Sequence, residues 1–373
     1  MKKVLITGVQ GFIGRNLLTH LSTLPLYQIQ GIDIDNTPAD LEQGIREADF
    51  IFHLAGVNRP QHESEFETGN AELSVRITEM LRRFSKRTTL FFSSSIQAEI
   101  DNPYGRSKKK AEDALIAYGT ETGAPVCIFR LPNVFGKWCR PNYNSAVATF
   151  CYNIIRDIPI TLSDPNKELV LVYIEDVIRE FLELLAGNSY ETGKYFYSVS
   201  KVFRITLGDL AEKLREFKSF RVTNMIPDLN DDFSRALYTT YLSYLPEDGF
   251  SYPLDQKTDA RGLLAEFLKS RDMGQIFLSK TIPGITRGNH YHHAKVEKFC
   301  VIQGKAVIRF RHIQNGRVLE YNVDGDHIDV VDIPPGYTHS LENVGRDVVL
   351  TLFWASELFD AGKPDTYPMD VLK

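Results

Sequence analysis

The first fourteen residues constrain the fold most. Val4-Leu5-Ile6-Thr7 is an apolar run of strand length. It passes directly into Gly8-Val9-Gln10-Gly11-Phe12-Ile13-Gly14, and a helix is expected over 15–24. Glycines at this spacing let a backbone turn tightly and approach a pyrophosphate, whose charge then sits at the helix N-terminus. A glycine-rich turn without a ligand needs neither the strand before it nor the helix after it. The loop residues that would face a dinucleotide are Gly8, Gly11, Phe12, Ile13 and Gly14. A second strand over 28–32 ends at Asp33 and Asp35. An acid at Asp33 commonly takes a ribose hydroxyl and favours NAD over NADP, while Arg15 is a competing phosphate ligand.

The pattern then repeats. A strand over 48–56 has small residues, Ala55-Gly56, at its C-terminal end, a helix spans 70–84, and 89–92 is a strand ending in Ser93-Ser94-Ser95. Ligands bind at the carboxyl ends of parallel strands, so these termini are candidate contacts. Next come Asn102-Pro103-Tyr104-Gly105-Arg106-Ser107-Lys108 and a helix to about residue 118. Tyr104 and Lys108, four apart, share one helix face. A lysine ammonium beside a phenol favours the phenolate and lowers its pKa, which suits proton transfer near neutral pH. A strand over 126–130 closes with Leu131-Pro132-Asn133-Val134-Phe135-Gly136. Alternating strands and helices predict an α/β, doubly wound parallel sheet.

Composition excludes several classes. A net charge of −5 argues against nonspecific binding to nucleic acid or anionic membrane. Cys127, Cys139, Cys151 and Cys300 form no C-x-x-C pair and are too few for a disulfide framework, so a reducing cytoplasm is expected. The basic and apolar start imitates a signal peptide, but Gly8 and Gly11 cut the run short and no cleavage pattern follows. No apolar stretch is long enough to span a membrane.

The glycine loop, His53-Leu54-Ala55-Gly56, Ser93 to Ser95, Tyr104 to Lys108 and Arg130 to Gly136 together resemble the extended short-chain dehydrogenase/reductases that act on nucleotide sugars. The resemblance implies a Ser-Tyr-Lys catalytic set. Ser95 matches the family serine best, with Ser94 the near alternative, because Ser95 lies closer to Tyr104 than is usual in extended members. It also implies a cofactor site of Gly8, Gly11, Phe12, Ile13, Gly14, Asp33, Leu54, Ala55, Gly56, Tyr104, Lys108 and Pro132. Downstream, Trp138, Arg140, Asn142, Tyr143 and Asn144 form a cluster, and 169–177 resembles the stretch that returns toward the active site in such enzymes. Arginine and aromatic side chains suit a uridine diphosphate. Helices are expected at 177–185 and 207–217, and 246–253 has linker composition.

After Gly274 the chain changes character. Short strands are expected at 275–281, 298–302, 306–312, 318–323, 327–333 and 348–354, separated by glycine- and proline-containing turns. That spacing predicts an antiparallel barrel or jelly roll. His290, His292 and Glu297 lie in one stretch, and Pro334-Pro335-Gly336-Tyr337-Thr338-His339, with Asn343 four on, in another. In a strand His290 and His292 point to one side and His293 to the other. The two stretches resemble cupin motifs, although the leading glycine of the second is displaced to Gly325. Three histidines and one glutamate (His290, His292, Glu297, His339) suit Zn²⁺, or Fe, Mn or Ni. The competing reading is a metal-free cupin whose histidines act as acid and base. Asp259-Ala260-Arg261-Gly262 and Thr286-Arg287-Gly288 also resemble cupin epimerases of deoxysugar pathways.

Taken whole, the chain resembles the bifunctional capsular polysaccharide synthesis enzymes of the CapF type. That implies a reductase domain over 1–246 and a cupin over 253–373. It implies epimerisation of a UDP-linked 2-acetamido-2,6-dideoxy-4-hexulose at C3, reduction at C4 with NADPH, and a homodimer. The implied product is UDP-2-acetamido-2,6-dideoxy-L-talose, on the route to N-acetyl-L-fucosamine. Tyr291, His293, Lys295 and Tyr337 are open candidates for the epimerase base. Two alternatives compete: a nucleotide-sugar sensor without turnover, and a cupin that serves only for dimerisation.

Overall fold

The computed structural model describes residues 1–187, 190–191, 193–362 and 364–372. It divides into two compact units, Met1–Leu214 with Ala236–Leu245 and Arg215–Arg235 with Pro246–Lys373. Among the described residues no helix is long and apolar enough to cross a membrane.

The first unit runs β1 (Lys2–Thr7), α1 (Phe12–Leu21), β2 (Tyr27–Ile32), α2 (Pro38–Glu47), β3 (Phe50–His53), α3 (Ser64–Phe66), α4 (Leu73–Arg83), β4 (Thr89–Ser95), α5 (Pro103–Thr122), β5 (Val126–Leu131), β6 (Asn133–Phe135), α6 (Ala146–Ile155), β7 (Glu168–Tyr173), α7 (Ile174–Gly187), β8 (Phe196–Tyr197) and β9 (Phe203–Thr206). Six strands form one sheet in the order β2-β1-β3-β4-β5-β8, and every pairing is parallel. Such strands are buried on both faces, which is why they read as unbroken apolar runs. Alternate residues serve opposite faces. Phe52, Phe91 and Phe129 join Leu17 and Phe181 of α1 and α7 on one face. Ile51, Leu90, Phe92 and Ile128 join Leu41, Leu81 and Leu115 of α2, α4 and α5 on the other. Phe52 and Phe91 stack at 4.3 Å, and Phe129 meets Phe181 edge-on at 4.9 Å. The expected α/β doubly wound class is borne out. The chain leaves β1 to one side for β2 and returns to the other for β3, so a crevice opens between their carboxyl ends.

Boundaries differ for local reasons. α1 starts at Phe12 rather than 15, because Gly11 is still extended (ψ 172°) and acts as its cap. The helix expected at 70–84 begins inside a π-helical stretch, Glu67–Glu72, and is α-helical only over Leu73–Arg83. α6 had no expectation, since Ala-Val-Ala-Thr-Phe-Cys carries no polar face to produce a periodic stripe. β6, β7 and β9 make a separate small sheet. The division between the units falls within α8 (Leu207–Thr223) and α9 (Asp232–Leu242).

The second unit contains β10 (Gln256–Asp259), β11 (Gly262–Ser270), β12 (Gly274–Thr281), β13 (Thr286–Tyr291), β14 (Glu297–Gln303), β15 (Lys305–His312), β16 (Val318–Asp324), β17 (Val330–Ile333), β18 (Tyr337–Asn343), β19 (Val349–Ala355) and β20 (Tyr367–Pro368). They form two antiparallel sheets, β10-β11-β12-β19-β14-β17 and β16-β15-β18-β13-β20. Phe299, Val301 and Val349 of the first share one buried cluster with Ile308, Phe310 and Leu341 of the second. The sheets therefore pack face to face, as expected of a jelly roll. β11 went unexpected because its register slips between Glu266 and Leu268, which breaks the period-two pattern.

Candidate functional site

In the first unit the glycine loop closes over the end of β1. Gly8 has φ +71°, and a Cβ there would lie 2.6 Å from the Ala55 nitrogen. A Cβ on Gly14 would lie 2.2 Å from the Gly8 oxygen. Only glycine fits either position. α1 has no side-chain cap and no acid in its first turn. Its first amides, from Phe12 and Ile13, therefore face a cavity of about 480 Å³ with the positive end of the helix dipole. Gly8, Gly11, Gly14, Leu54, Gly56 and Pro132 also line this cavity. Ala55 serves the loop through its backbone approach to Gly8 instead. Asp33 is engaged by the loop too: its Oδ2 accepts from the Gln10 amide at 2.7 Å and its Oδ1 from the Ile34 amide at 2.9 Å. Asp35 accepts from Gln10 Nε2 at 3.2 Å. Arg15 also lines the cavity, and its Nη2 donates to the Trp138 carbonyl at 3.0 Å.

α5 presents Tyr104 and Lys108 to the same cavity. Its start is fixed by Pro103 and by Asn102, whose Oδ1 accepts from the Gly105 amide at 2.7 Å. Lys108 is buried; its Nζ donates to the Ser93 carbonyl at 3.1 Å and lies 4.9 Å from the Phe92 ring centre. Burial pushes its pKa down to about 8, with the Glu112 carboxylate opposing. The expectation that Lys108 lowers the Tyr104 pKa is not met. Burial raises it, and only a hydrogen bond with Ser95 acts the other way. The phenolate loses its hydration, and the Lys108 ammonium is drawn to a backbone carbonyl. Tyr104 thus rests as a protonated phenol, the form required of a proton donor.

The two serines have separate employments. Ser95 bonds Tyr104 and faces the cavity. Ser94 Oγ donates to Glu112 at 2.6 Å, and Glu112 is gripped at both oxygens by Arg130, at 2.9 and 2.7 Å. Asn70 escaped the sequence reading. It lies in the π-helical stretch, buried, with Oδ1 accepting from the Val57 amide at 2.8 Å and Nδ2 donating to Ser107 Oγ at 3.0 Å. A Cβ on Gly56 would approach both its Oδ1 (2.7 Å) and Lys108 Nζ (3.2 Å). Nothing in an isolated asparagine at an expected helix start signals that role. His53 braces the floor, bonding Thr7 Oγ1 at 2.8 Å and Ser74 Oγ at 2.8 Å, and burial holds it neutral with a pKa near about 3. Of the downstream cluster, Arg140, Tyr143 and Asn144 line the cavity, with Arg140 5.2 Å from the Tyr143 ring centre. Trp138 and Asn142 do not line it.

In the second unit the four expected ligands converge. His290 on β13 is paired with His339 on β18. A bulge between Gly288 and His290, with Asn289 at φ +58°, aims His290 inward. One ligand atom from each of His290, His292, Glu297 and His339 lies within 4.8 Å of all the others. Glu297 Oε2 is 3.3 Å from His292 Nε2 and 3.5 Å from His339 Nε2. Both of these ring nitrogens are buried without a hydrogen-bond partner. Orphaned lone pairs around one carboxylate fit a cation. Burial lowers His290 to about 4 and lowers His339 as well, so these two imidazoles are neutral donors. Burial alone would raise Glu297, but the facing His292 and His339 rings outweigh it and hold the carboxyl well below its usual range. His293 lies outside the cluster, its ring against Tyr367 at 4.6 Å. Asn343 has a structural employment, donating to the Thr281 and Asp347 carbonyls at 2.8 and 2.9 Å.

Residues 4–196 match the NAD dependent epimerase/dehydratase family, and residues 257–367 match the polysaccharide biosynthesis C-terminal domain. The chain is 47% identical over 369 residues to a UDP-2-acetamido-2,6-beta-L-arabino-hexul-4-ose reductase of Pseudomonas aeruginosa, covering 99% of each. It is similar in structure to the capsular polysaccharide assembling protein CapF from Staphylococcus aureus, with TM-score 0.91, 45% identity, and 98% and 99% of the two chains covered. A UDP-glucuronic acid 4-epimerase from Bacillus cereus, with TM-score 0.56 and 17% identity over 65% of this chain and 98% of its own, shares the fold of the first unit.

Proposed function

The chain belongs to the NAD dependent epimerase/dehydratase family, and on that premise we propose that it performs two consecutive steps on one UDP-linked keto-sugar. It is a nucleotide-sugar 4-ketoreductase of the CapF type, acting in polysaccharide biosynthesis with a nicotinamide cofactor. The finer reading is that the cupin epimerises UDP-2-acetamido-2,6-dideoxy-4-hexulose at C3. The reductase unit then converts the C4 ketone, giving UDP-2-acetamido-2,6-dideoxy-L-talose on the route to N-acetyl-L-fucosamine. The observation that carries the reductase reading is the meeting of Tyr104, Ser95 and Lys108 in the cavity above the uncapped α1.

A reduced nicotinamide, when bound, supplies the hydride to the carbonyl carbon. The α1 amides and the Gly8 turn receive its pyrophosphate. Tyr104 gives its phenolic proton to the oxygen as negative charge develops there, and Ser95 donates a hydrogen bond to the same oxygen. Lys108 holds the ribose hydroxyls and supports the tyrosinate left behind. Arg140 and Tyr143 suit the diphosphate and the base of the sugar nucleotide. In the cupin, a divalent cation held by His290, His292, Glu297 and His339 would act as a Lewis acid for the enolate. Its identity as Zn²⁺ is supported by the three-nitrogen, one-oxygen donor set.

The family resemblance supports NADPH as donor. A specific observation favours NADH as the second reading: Asp33 and Asp35 follow β2, and 31–41 contains no Lys or Arg to receive a 2′-phosphate. The ratio of kcat/KM for the two dinucleotides decides between them. A homodimer is also proposed, and sedimentation equilibrium checks it. Incubating the keto-sugar with Tyr104→Phe tests the reductase reading. Substrate-dependent oxidation of reduced nicotinamide is expected to fall by about 10²–10⁴-fold; unchanged turnover would leave the proposal without its proton donor, and no turnover by the unaltered chain would return the sensor reading.

A further inference from the structure

The carboxyl-terminal segment is bound to the loop that carries the metal ligands, and no role assigned so far uses it. Residues 292–296 join β13 to β14 without regular structure, yet they include His292 and lead directly into Glu297. Three successive amides of this loop donate to one carboxylate. Asp365 Oδ1 accepts from His293 at 2.9 Å, and Oδ2 accepts from Ala294 at 2.7 Å and Lys295 at 2.8 Å. Successive amides turned to one side form a concave anion site, and here the anion comes from the chain itself. The backbone oxygen of Asp365 completes the arrangement at 2.5 Å from His292 Nδ1. A carbonyl can only accept, so Nδ1 carries a proton, and in the neutral ring it is Nε2 that offers the lone pair. That Nε2 is the buried, unpartnered nitrogen facing Glu297.

The neighbouring residues extend the same grip. Thr366 Oγ1 accepts from Lys295 Nζ at 3.0 Å. β20 adds to β13, pairing Tyr367 with Tyr291 and Pro368 with His290. The Met369 amide donates to the Asn289 carbonyl at 2.8 Å, at the bulge that aims His290. Two of the four ligands are thus flanked by contacts from one strap, separated from them by more than seventy residues of chain.

We propose that Asp365 is a positioning residue of the metal centre, fixing both the tautomer of His292 and the path of the loop into Glu297. The inference rests on the reading of His290, His292, Glu297 and His339 as metal ligands. Partners that orient a ligating histidine typically change metal affinity by about 10–100-fold when removed.

The test uses the full chain, stripped of metal and titrated with Zn²⁺ against a chromophoric chelator. The unaltered chain is expected to bind one Zn²⁺, and Asp365→Ala to bind it about 10–100-fold more weakly. Asp365→Asn retains one accepting oxygen and should fall between. Co²⁺ in place of Zn²⁺ should give a visible spectrum that differs between the unaltered chain and Asp365→Ala, because ligand geometry has changed. Metal-free melting temperatures should agree within about 2 °C. Equal Zn²⁺ affinity in Asp365→Ala overturns the inference. So does loss of metal-free stability in both variants, which would mark Asp365 as a structural cap alone. Absence of Zn²⁺ binding by the unaltered chain would overturn the ligand reading itself, a different outcome from either.

Discussion

At the scale of single residues, burial governs the chemistry of the cavity. Lys108 is a fully covered cation, and its pKa sits at about 8. Its charged form is the one that holds a ribose, so kcat/KM for the dinucleotide should decline above about pH 8. Initial rates across pH 6–10 check this; a flat profile through pH 10 would show that Lys108 is not required in its charged form. The stability consequence has the opposite trend. The folded chain releases this proton near pH 8, whereas the unfolded chain keeps it to roughly pH 10.4. Unfolding therefore takes up a proton between those values, and stability gains as pH rises through that window. Tyr104 differs from its sequence expectation for the same reason, since a pattern of residues four apart contains no information about desolvation. Removing the hydroxyl of Ser95 should affect the rate more than removing that of Ser94, because Ser95 bonds Tyr104 while Ser94 bonds Glu112. Comparing kcat for Ser95→Ala and Ser94→Ala checks the assignment, provided each variant melts normally.

At the scale of elements, the strand–loop–helix start was legible because each of its signals is local. An apolar run, three glycines and a helix lie within two dozen residues. Gly14→Ala should abolish dinucleotide binding, since its Cβ would sit 2.2 Å from the Gly8 oxygen and the turn cannot yield without displacing β1 from α1; fluorescence titration with reduced nicotinamide measures this. Less was legible where a residue acts through a distant partner. Asn70, on its π-helical stretch, bridges Val57 and Ser107, and Asp365 caps amides about seventy positions earlier. Neither belongs to a short motif. α6 was illegible for another reason, its apolar surface leaving no stripe. His53 links β1, β3 and α4 through Thr7 and Ser74, and burial keeps it neutral down to about pH 3. Between about pH 6.5 and pH 3 the unfolded chain takes a proton that the folded chain refuses, so stability falls with falling pH. The slope from this one group is about 1.4 kcal/mol per pH unit. His53→Gln should flatten that part of the denaturant-measured profile.

At the scale of the whole molecule, two compact units each carry one candidate site. The four-ligand cluster and the Tyr104 cavity share no residue. Their losses should therefore separate: His339→Ala abolishes the epimerase step and Tyr104→Phe the reductase step. The two proposed steps would have a thermodynamic reason to share one chain, because an epimerised ketone equilibrates with its precursor unless reduction removes it. The most direct measurement is NMR of the keto-sugar incubated with the protein in D₂O, without and then with reduced nicotinamide. Without the dinucleotide, the unaltered chain and Tyr104→Phe should both introduce deuterium at C3, and His339→Ala should not. On its addition only chains retaining Tyr104 should convert the C4 carbonyl to an alcohol. Reduction by Tyr104→Phe at the unaltered rate, or deuterium at C3 in His339→Ala, would contradict the account.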